Sequence, residues 1–309
     1  MGRKILLAID DCIDSKKAVQ YATRTCSVVK DIRYTLFNVQ PAVPAVFTEL
    51  AKADSSVRVE VDDLLLERGE VMGCMCGSLR DLIIAEGVPE DRIDAISRII
   101  QQGIVKDIIT RAEEGHYNAI VLARRGLTSR RDFFLGPTST TVVEHSLKTP
   151  VWIVAGDNTS MNFMVAVDGS EHSLKYVDYV IGMVGSNPDL RVTMFHVMPH
   201  LRHYYSVDFE KKSPKLQKIL HREDKHRMDD FYKTVRSQFK KAGLKAGHLR
   251  TKTEPLSYDI STAILKEART GGYSTVVIGR RGERDAFFTG RIAMRLVQKV
   301  SDQTLWVIP

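Results

Sequence analysis

Short apolar runs alternate along the chain with segments whose apolar residues recur every three or four positions. Residues 3–9 form a continuous apolar run, the pattern of a strand buried on both faces. Asp14 or Ser15 then opens a helix whose apolar side holds Ala18, Val19 and Ala22. Residues 33–39 alternate and predict a second strand. A long connection follows, helical in pattern at Val61, Leu64, Leu65 and Leu66 and again at Leu79, Leu82 and Ile83. Residues 93–99 predict a weak third strand. Ile104, Ile108, Ile109 and Ala112 share one helical face, 118–123 is a fourth strand, 138–146 a helix and 151–154 a fifth strand. Strands that alternate with helices predict a parallel sheet with helices on both faces.

The same pattern then starts again. Ile5-Leu6-Leu7-Ala8-Ile9-Asp10 returns as Phe163-Met164-Val165-Ala166-Val167-Asp168, and Ser15 and Lys17 return as Ser173 and Lys175. Phe37-Asn38-Val39 returns as Phe195-His196-Val197, Leu122-Ala123-Arg124-Arg125-Gly126 as Ile278-Gly279-Arg280-Arg281-Gly282, and Trp152 as Trp306. Landmarks in one order mean a duplicated domain, and a period this long excludes a solenoid. The expected fold class is α/β: two tandem, open, doubly wound five-stranded parallel sheets. The boundary falls in the polar stretch near 157–160, giving domains 1–157 and 158–309. In the second half, the connection 209–241 carries a charged amphipathic helix whose apolar stripe is Met228, Phe231, Tyr232, Val235 and Phe239. One such stripe packs on its own domain rather than on a membrane.

Composition narrows the function. The 309 residues suit two domains with cores of their own. No apolar run approaches the roughly 18–20 residues of a membrane span, and the N-terminal run is too short for a signal peptide. A cytoplasmic home is expected. All four cysteines lie in the first half, which argues against a shared disulfide framework. Cys74-Met75-Cys76 lacks the second ligand pair of a zinc site. The net charge of +7 permits anionic ligands. The basic clusters carry no interleaved aromatics, so a specific nucleic-acid partner is not expected. His196, His200 and His203 follow a predicted strand and are expected as exposed loop histidines. Arg124-Arg125, Arg130-Arg131 and Arg280-Arg281 are candidates for steering anions or for solvated charge.

Ligands of open parallel sheets sit at the carboxyl ends of the strands, where the strand order reverses. Two loops per half converge there. One follows strand one, Asp10 to Ser15 and Asp168 to Ser173. The other follows strand four, from Ala123 to Ser139 and from Gly279 to Arg291. Glycine turns and the next helix N-terminus present amides to a phosphate. Ala166-Val167-Asp168-Gly169-Ser170-Glu171-His172-Ser173 resembles the opening motif of the universal stress protein family, and the resemblance spans both halves. That family's nucleotide loop runs Gly, two residues, Gly, nine residues, Gly, then Ser or Thr. Here the first half shows Ala123, Gly126, Gly136 and Pro137. The second shows Gly279, Gly282, Gly290 and Arg291, with a loop two residues shorter. The resemblance implies strand order 3-2-1-4-5 in each sheet and an adenine nucleotide, usually ATP and optionally with Mg2+, in each intact site. It implies Asp10 and Asp168 beside ribose, phosphate or metal, and Val39 and Val197 lining the adenine. Gly126, Gly136, Thr138 and Ser139 would hold ribose and phosphate, as would Gly279, Gly282 and Gly290. Arg125, Arg281 and Arg291 stand in these loops as candidate phosphate partners.

Both halves depart from the motif. Ala123 adds a methyl group, Pro137 removes an amide donor, and Asp11-Cys12 replace Gly-Ser. In the second half Arg291 replaces the hydroxyl residue, and it either pairs with a phosphate or fills the pocket. No Walker-type loop, no Gly-x-Ser-x-Gly elbow and no paired nucleophile and base are present. The expected function is a nucleotide-binding regulatory protein, with ATP in at least one half and a protein partner of unknown identity. The alternatives are a nucleotide-free interaction protein with eroded sites, and a slow ATP-hydrolysing or ATP-dependent enzyme. The family's last strand commonly mediates pairing. That implies an internal pseudo-dimer through 151–154 and 305–308, and leaves a homodimer of whole chains open.

Overall fold

The computed structural model describes residues 2–10, 12–29, 31–124, 137–156, 160–198, 200, 214–255, 259–280, 289–300 and 302–309. The first half runs β1 (Arg3–Ala8), α1 (Ile13–Thr25), β2 (Ile32–Gln40), α2 (Ala45–Ala53), α3 (Ser55–Ala85), β3 (Ile93–Ile99), α4 (Ile104–Glu114), β4 (Ala119–Ala123), α5 (Pro137–His145) and β5 (Val151–Val154). The second half runs β6 (Asn162–Val167), α6 (Glu171–Val184), β7 (Arg191–Val197), α7 (Pro214–Lys241), β8 (Leu249–Glu254), α8 (Ile260–Thr270), β9 (Thr275–Gly279), α9 (Thr289–Lys299) and β10 (Thr304–Ile308). The central strands are the short apolar runs, and nearly every residue of β4, β5, β9 and β10 is buried. The weak third strand is real. It forms an exposed edge, as does β8, which is why it lacks an apolar signature.

All strands lie in one sheet of order β3-β2-β1-β4-β5-β10-β9-β6-β7-β8. Each half is a parallel 3-2-1-4-5 unit. The expected pairing of the last strands is present: β5 and β10 run antiparallel, with Trp306 opposite Trp152. The two indoles stack with centroids 4.0 Å apart and planes within 2°. A stacked pair at this spacing adds about 0.5–1.5 kcal/mol beyond its buried area.

Alternation along the strands divides the core into two layers. Ile5 and Leu7 face the layer under α1, α3, α6 and α7, whereas Leu6 faces the layer under α4, α5, α8 and α9. The sequence pattern of the long connection resolves into two helices. The 31-residue α3 buries only Leu79 and Ile83, and α2 buries nothing. In contrast, α7 buries Met228, Phe231, Tyr232, Val235 and Phe239, the stripe expected from sequence.

Candidate functional site

The carboxyl ends of β1 and β6 are shaped by the same lock. Asp10 Oδ1 accepts hydrogen bonds from Ser15 Oγ (2.8 Å) and from the Cys12 amide (3.2 Å), while the Asp10 amide donates to Ser15 Oγ (3.1 Å). Asp168 Oδ1 accepts from Ser173 Oγ (2.7 Å) and from the Ser170 amide (3.0 Å), and its amide donates to Ser173 Oγ (3.2 Å). The serines are buried and the aspartates half-buried. An aspartate that bonds the backbone two residues on tightens the turn and aims the helix that follows. The recurrence of Ser15 and Ser173, visible in the sequence, is explained by this geometry.

The two turns then differ. Ser170 Oγ caps α6 through the Ser173 amide at 3.2 Å. Cys12 stands in that place on α1 and makes no side-chain cap. Against a lowering bond from the Asp14 backbone, burial and the carboxylates of Asp14 and Asp10 push the Cys12 thiol pKa up.

Beside these turns the structure places Val39 and Val197 near the ends of β2 and β7, and Ala123 and Gly279 at the ends of β4 and β9. Thr138 and Ser139 are half-buried in the first turn of α5, and Gly290 and Arg291 lie in the first turn of α9. All of them therefore share the carboxyl edge of their half, at the β1/β4 and β6/β9 reversals of strand order. Pro137 opens α5, a position where its fixed φ suits the helix and the missing amide leaves no intrahelical bond unmade. Arg125, Gly126, Gly136, Arg281, Gly282, Arg130, Arg131 and His203 lie outside the described residues, as do the side chains of Pro137 and Arg291.

Three sequence expectations are corrected. First, Gly279 does not leave room for a ligand on its Cβ side. A methyl group there would lie 1.9 Å from the Tyr176 ring, and Tyr176 is 3% exposed. Ala18 and Ala123 hold the equivalent places in the first half. A large residue with glycine in one half is a pair of alanines in the other, so the Ala123 methyl packs the core layer beneath α1. Second, Arg124 and Arg280 are not free to steer anions. Arg124 donates to the carbonyls of Val297, Gln298 and Val300 at the end of α9. Arg280 donates to the carbonyls of Ser146 and Glu144 at the end of α5. Each crosses to the other half and satisfies carbonyls that a helix C-terminus leaves unpaired. Third, His196 and His200 are buried, not exposed. The His196 Nδ1 lies 3.0 Å from the Val167 carbonyl and Nε2 lies 2.8 Å from Asp224 Oδ2. Asp224 Oδ1 in turn accepts from Arg227 Nη2 at 2.6 Å. Burial raises the Asp224 pKa, but the bonds and charges of His196 and Arg227 outweigh it and hold the carboxyl below its ordinary value. This triad ties α7 to β7. Sequence reading missed it because Asp224 stands 28 residues from His196. The available signal was His196 aligned with Asn38, whose Nδ2 donates to the Ile9 carbonyl at 3.0 Å, the same backbone position.

Through this anchor α7 reaches over the β6 turn. Gly169 has φ +80°, and a methyl group there would lie 2.9 Å from Met228 Sδ and 3.2 Å from Arg227. Among the described residues, no cluster of three or more His, Cys, Asp or Glu is placed to hold a metal ion. No described helix is long and apolar enough to cross a membrane.

Comparison with known proteins agrees with this architecture. A solved universal stress protein from Archaeoglobus fulgidus DSM 4304 matches over 99% of this chain and 97% of its own, with TM-score 0.58 and 18% identity. A functionally unknown protein from Pseudomonas aeruginosa PAO1 matches over 99% and 92%, with TM-score 0.56 and 14% identity. A search of curated proteins finds no match to the chain. The model of the universal stress protein family matches twice, at residues 1–155 and 160–308, so the chain belongs to that family as a tandem, two-domain member.

Proposed function

We propose that this chain is a cytoplasmic stress-response regulator that binds an adenine nucleotide, ATP, in at least one of two units, 1–157 and 158–309. The observation that carries the reading is the twinned aspartate–serine turn at the carboxyl edge of each half. In each half an aspartate clamped by a buried serine follows the first strand at the carboxyl edge, where the strand order reverses and the helix after the fourth strand, α5 or α9, begins. That is where an open α/β sheet takes its ligand, and a helix N-terminus supplies amides and positive potential to phosphate. Val39 or Val197 would offer an apolar wall to the base, and Thr138 and Ser139 hydroxyls to ribose or phosphate. A Mg2+ ion carried by the triphosphate would find a hard oxygen donor in Asp10 or Asp168. Binding would shift the first turn of α5 or of α9. Arg124 and Arg280, each one residue beyond its strand, would pass that change to the other half, where a protein partner reads it.

Calorimetric titration with ATP, with and without Mg2+, tests the reading. Asp10→Ala removes the first site's heat and Asp168→Ala the second's, which assigns occupancy to each half. Absence of heat at about 1 mM nucleotide, the weak end of specific binding, overturns it, provided no nucleotide co-purifies. The chain would then be a nucleotide-free interaction protein. Rapid multiple-turnover ATP consumption that either variant abolishes would place it among enzymes instead.

A further inference from the structure

The α2–α3 hairpin stands off its own domain. From Ala45 to Cys74 no residue is buried, although the segment is rich in large apolar side chains. Val46, Phe47, Val59, Leu66 and Val71 are each 46–64% exposed. Single exposed apolar residues are ordinary, but a contiguous set marks an interaction surface. The hairpin is also acidic. Glu60, Asp62, Asp63, Glu67 and Glu70 lie exposed along α3, among seven acidic and three basic residues between 45 and 74.

The second half carries a different surface at this position. The helices align through their inner faces: Met72, Met75, Leu79 and Ile83 of α3 correspond to Met228, Phe231, Val235 and Phe239 of α7. On the outer face, Val59, Leu66, Gly69, Gly73 and Gly77 of α3 stand where α7 has Lys215, Arg222, Lys225, Asp229 and Lys233. The three glycines have open space beyond their Cα atoms, and each costs a helix interior roughly 0.5–1 kcal/mol relative to alanine. The first turns of α7 are thus basic. Beside those charges they expose two apolar side chains, Leu216 at 51% and Ile219 at 39%.

We infer that the α2–α3 hairpin of one chain docks on the first three turns of α7 of a second copy. Charge complementarity selects this occupant. Hairpin against hairpin would set acid on acid, whereas the start of α7 offers Lys215, Lys218 and Arg222 to Glu60, Asp63 and Glu67. It also offers Leu216 and Ile219 to Phe47 and Leu66. Both elements flank the same face of the sheet, at its opposite ends, so one two-fold axis forms the contact twice and closes a dimer. Complementary charge at such a contact fixes the partner and makes association depend on salt.

Sedimentation velocity and light scattering on the full chain test this. Wild type is expected at twice its 34.8 kDa monomer mass, with an apparent Kd at least about tenfold weaker when salt rises from about 50 mM to about 0.5 M. The hairpin variant Glu60→Lys/Asp63→Lys/Glu67→Lys is expected to be monomeric alone. So is the α7 variant Lys215→Glu/Lys218→Glu/Arg222→Glu. Mixed in equal amounts, the two are expected to form a heterodimer, because each reversed face meets its opposite. Circular dichroism of each variant separates lost association from lost folding, and the mixture needs only folded variants. A monomeric wild type at every salt overturns the inference and leaves the hairpin to another protein. Persistent dimers of either variant alone, or a mixture that stays monomeric, overturn it equally and point to a different face.

Discussion

The two halves are built on one frame and differ in how each holds its long helix. In the second half, Asp224 is buried between His196 and Arg227, and α7 lies down along its whole inner stripe. In the first, Asn38 replaces His196, Arg68 occupies the place of Asp224, and only the last turns of α3 are buried. The parts common to both halves are those that make the sheet and its seam: the aspartate–serine turns, the cross-domain arginines and the stacked tryptophans. The parts that differ change in matched sets. At the Tyr176–Gly279 and His196–Asp224 contacts both partners differ between the halves, as expected where packing and buried charge couple residues.

The largest test of that contrast is at the triad. Removing one partner of a buried ion pair strands the other and costs about 3–5 kcal/mol. Asp224→Ala is therefore expected to lower the urea midpoint sharply at neutral pH, while Arg68→Ala, which breaks no ion pair among the described residues, costs under about 1 kcal/mol. Equal losses at the two positions would mean that α3 is anchored as firmly as α7, and the contrast would fail.

A smaller effect is expected where Tyr176 meets Gly279. Gly279→Ala drives a methyl group into a buried ring, and overpacking of this kind costs about 1–3 kcal/mol. Tyr176→Ala alone opens a cavity worth about 3–5 kcal/mol. The double variant rebuilds the Ala18–Ala123 pair and is expected to cost less than the two singles together, with a coupling of about 0.5–3 kcal/mol. Strict additivity in denaturant unfolding would show that glycine is present at 279 for some reason other than the ring.

Most of the frame was legible because it depends on local signals. Buried strands are apolar runs, and duplication doubled every signal, so the parallel sheets and the inner stripe of α7 could be read ahead, while the strand order and the pairing of β5 with β10 were carried by the family resemblance. The positions of the candidate site residues at the carboxyl edge followed from the same topology. What was not legible depends on partners distant in sequence. Arg124 looked like cleft charge because the helix end it caps lies more than 170 residues away. That the Cβ side of Gly279 is filled by Tyr176 was not visible because Tyr176 lies on another element. His196 looked exposed because it closes a predicted strand, and its carboxylate is on a helix that charge alone marked as solvated. Pattern along the chain gives faces and ends; it does not give which side chain fills a given space.

The start of α8 offers the mildest contrast between the halves and one with a defined pH dependence. Asp259 caps α8, accepting from the Ser261 amide at 3.0 Å, from the Ser261 and Thr262 hydroxyls at 2.7 and 2.8 Å, and from Arg295 Nη1 at 2.9 Å. The equivalent cap of α4 is Gly103, at φ +119° and with no side chain to accept a bond. Burial raises the Asp259 pKa, but the hydroxyls of Ser261 and Thr262, the Thr262 amide and Arg295 lower it further, to about 2. The unfolded carboxyl titrates near about 3.9, so on acidification the unfolded chain takes up this proton first. The stabilisation is present in full above that value and is lost as pH falls through about 2. Asp259 is partly exposed, so solvent screening keeps the effect to the size of an ordinary cap. Asp259→Ala is expected to cost about 1 kcal/mol at neutral pH. The difference from wild type should shrink steadily in urea titrations between about pH 4 and about pH 2.5. A difference that holds constant through that window would mean that the carboxylate charge contributes nothing to the cap. Asp259 would then stabilise α8 no better than a neutral acceptor such as asparagine.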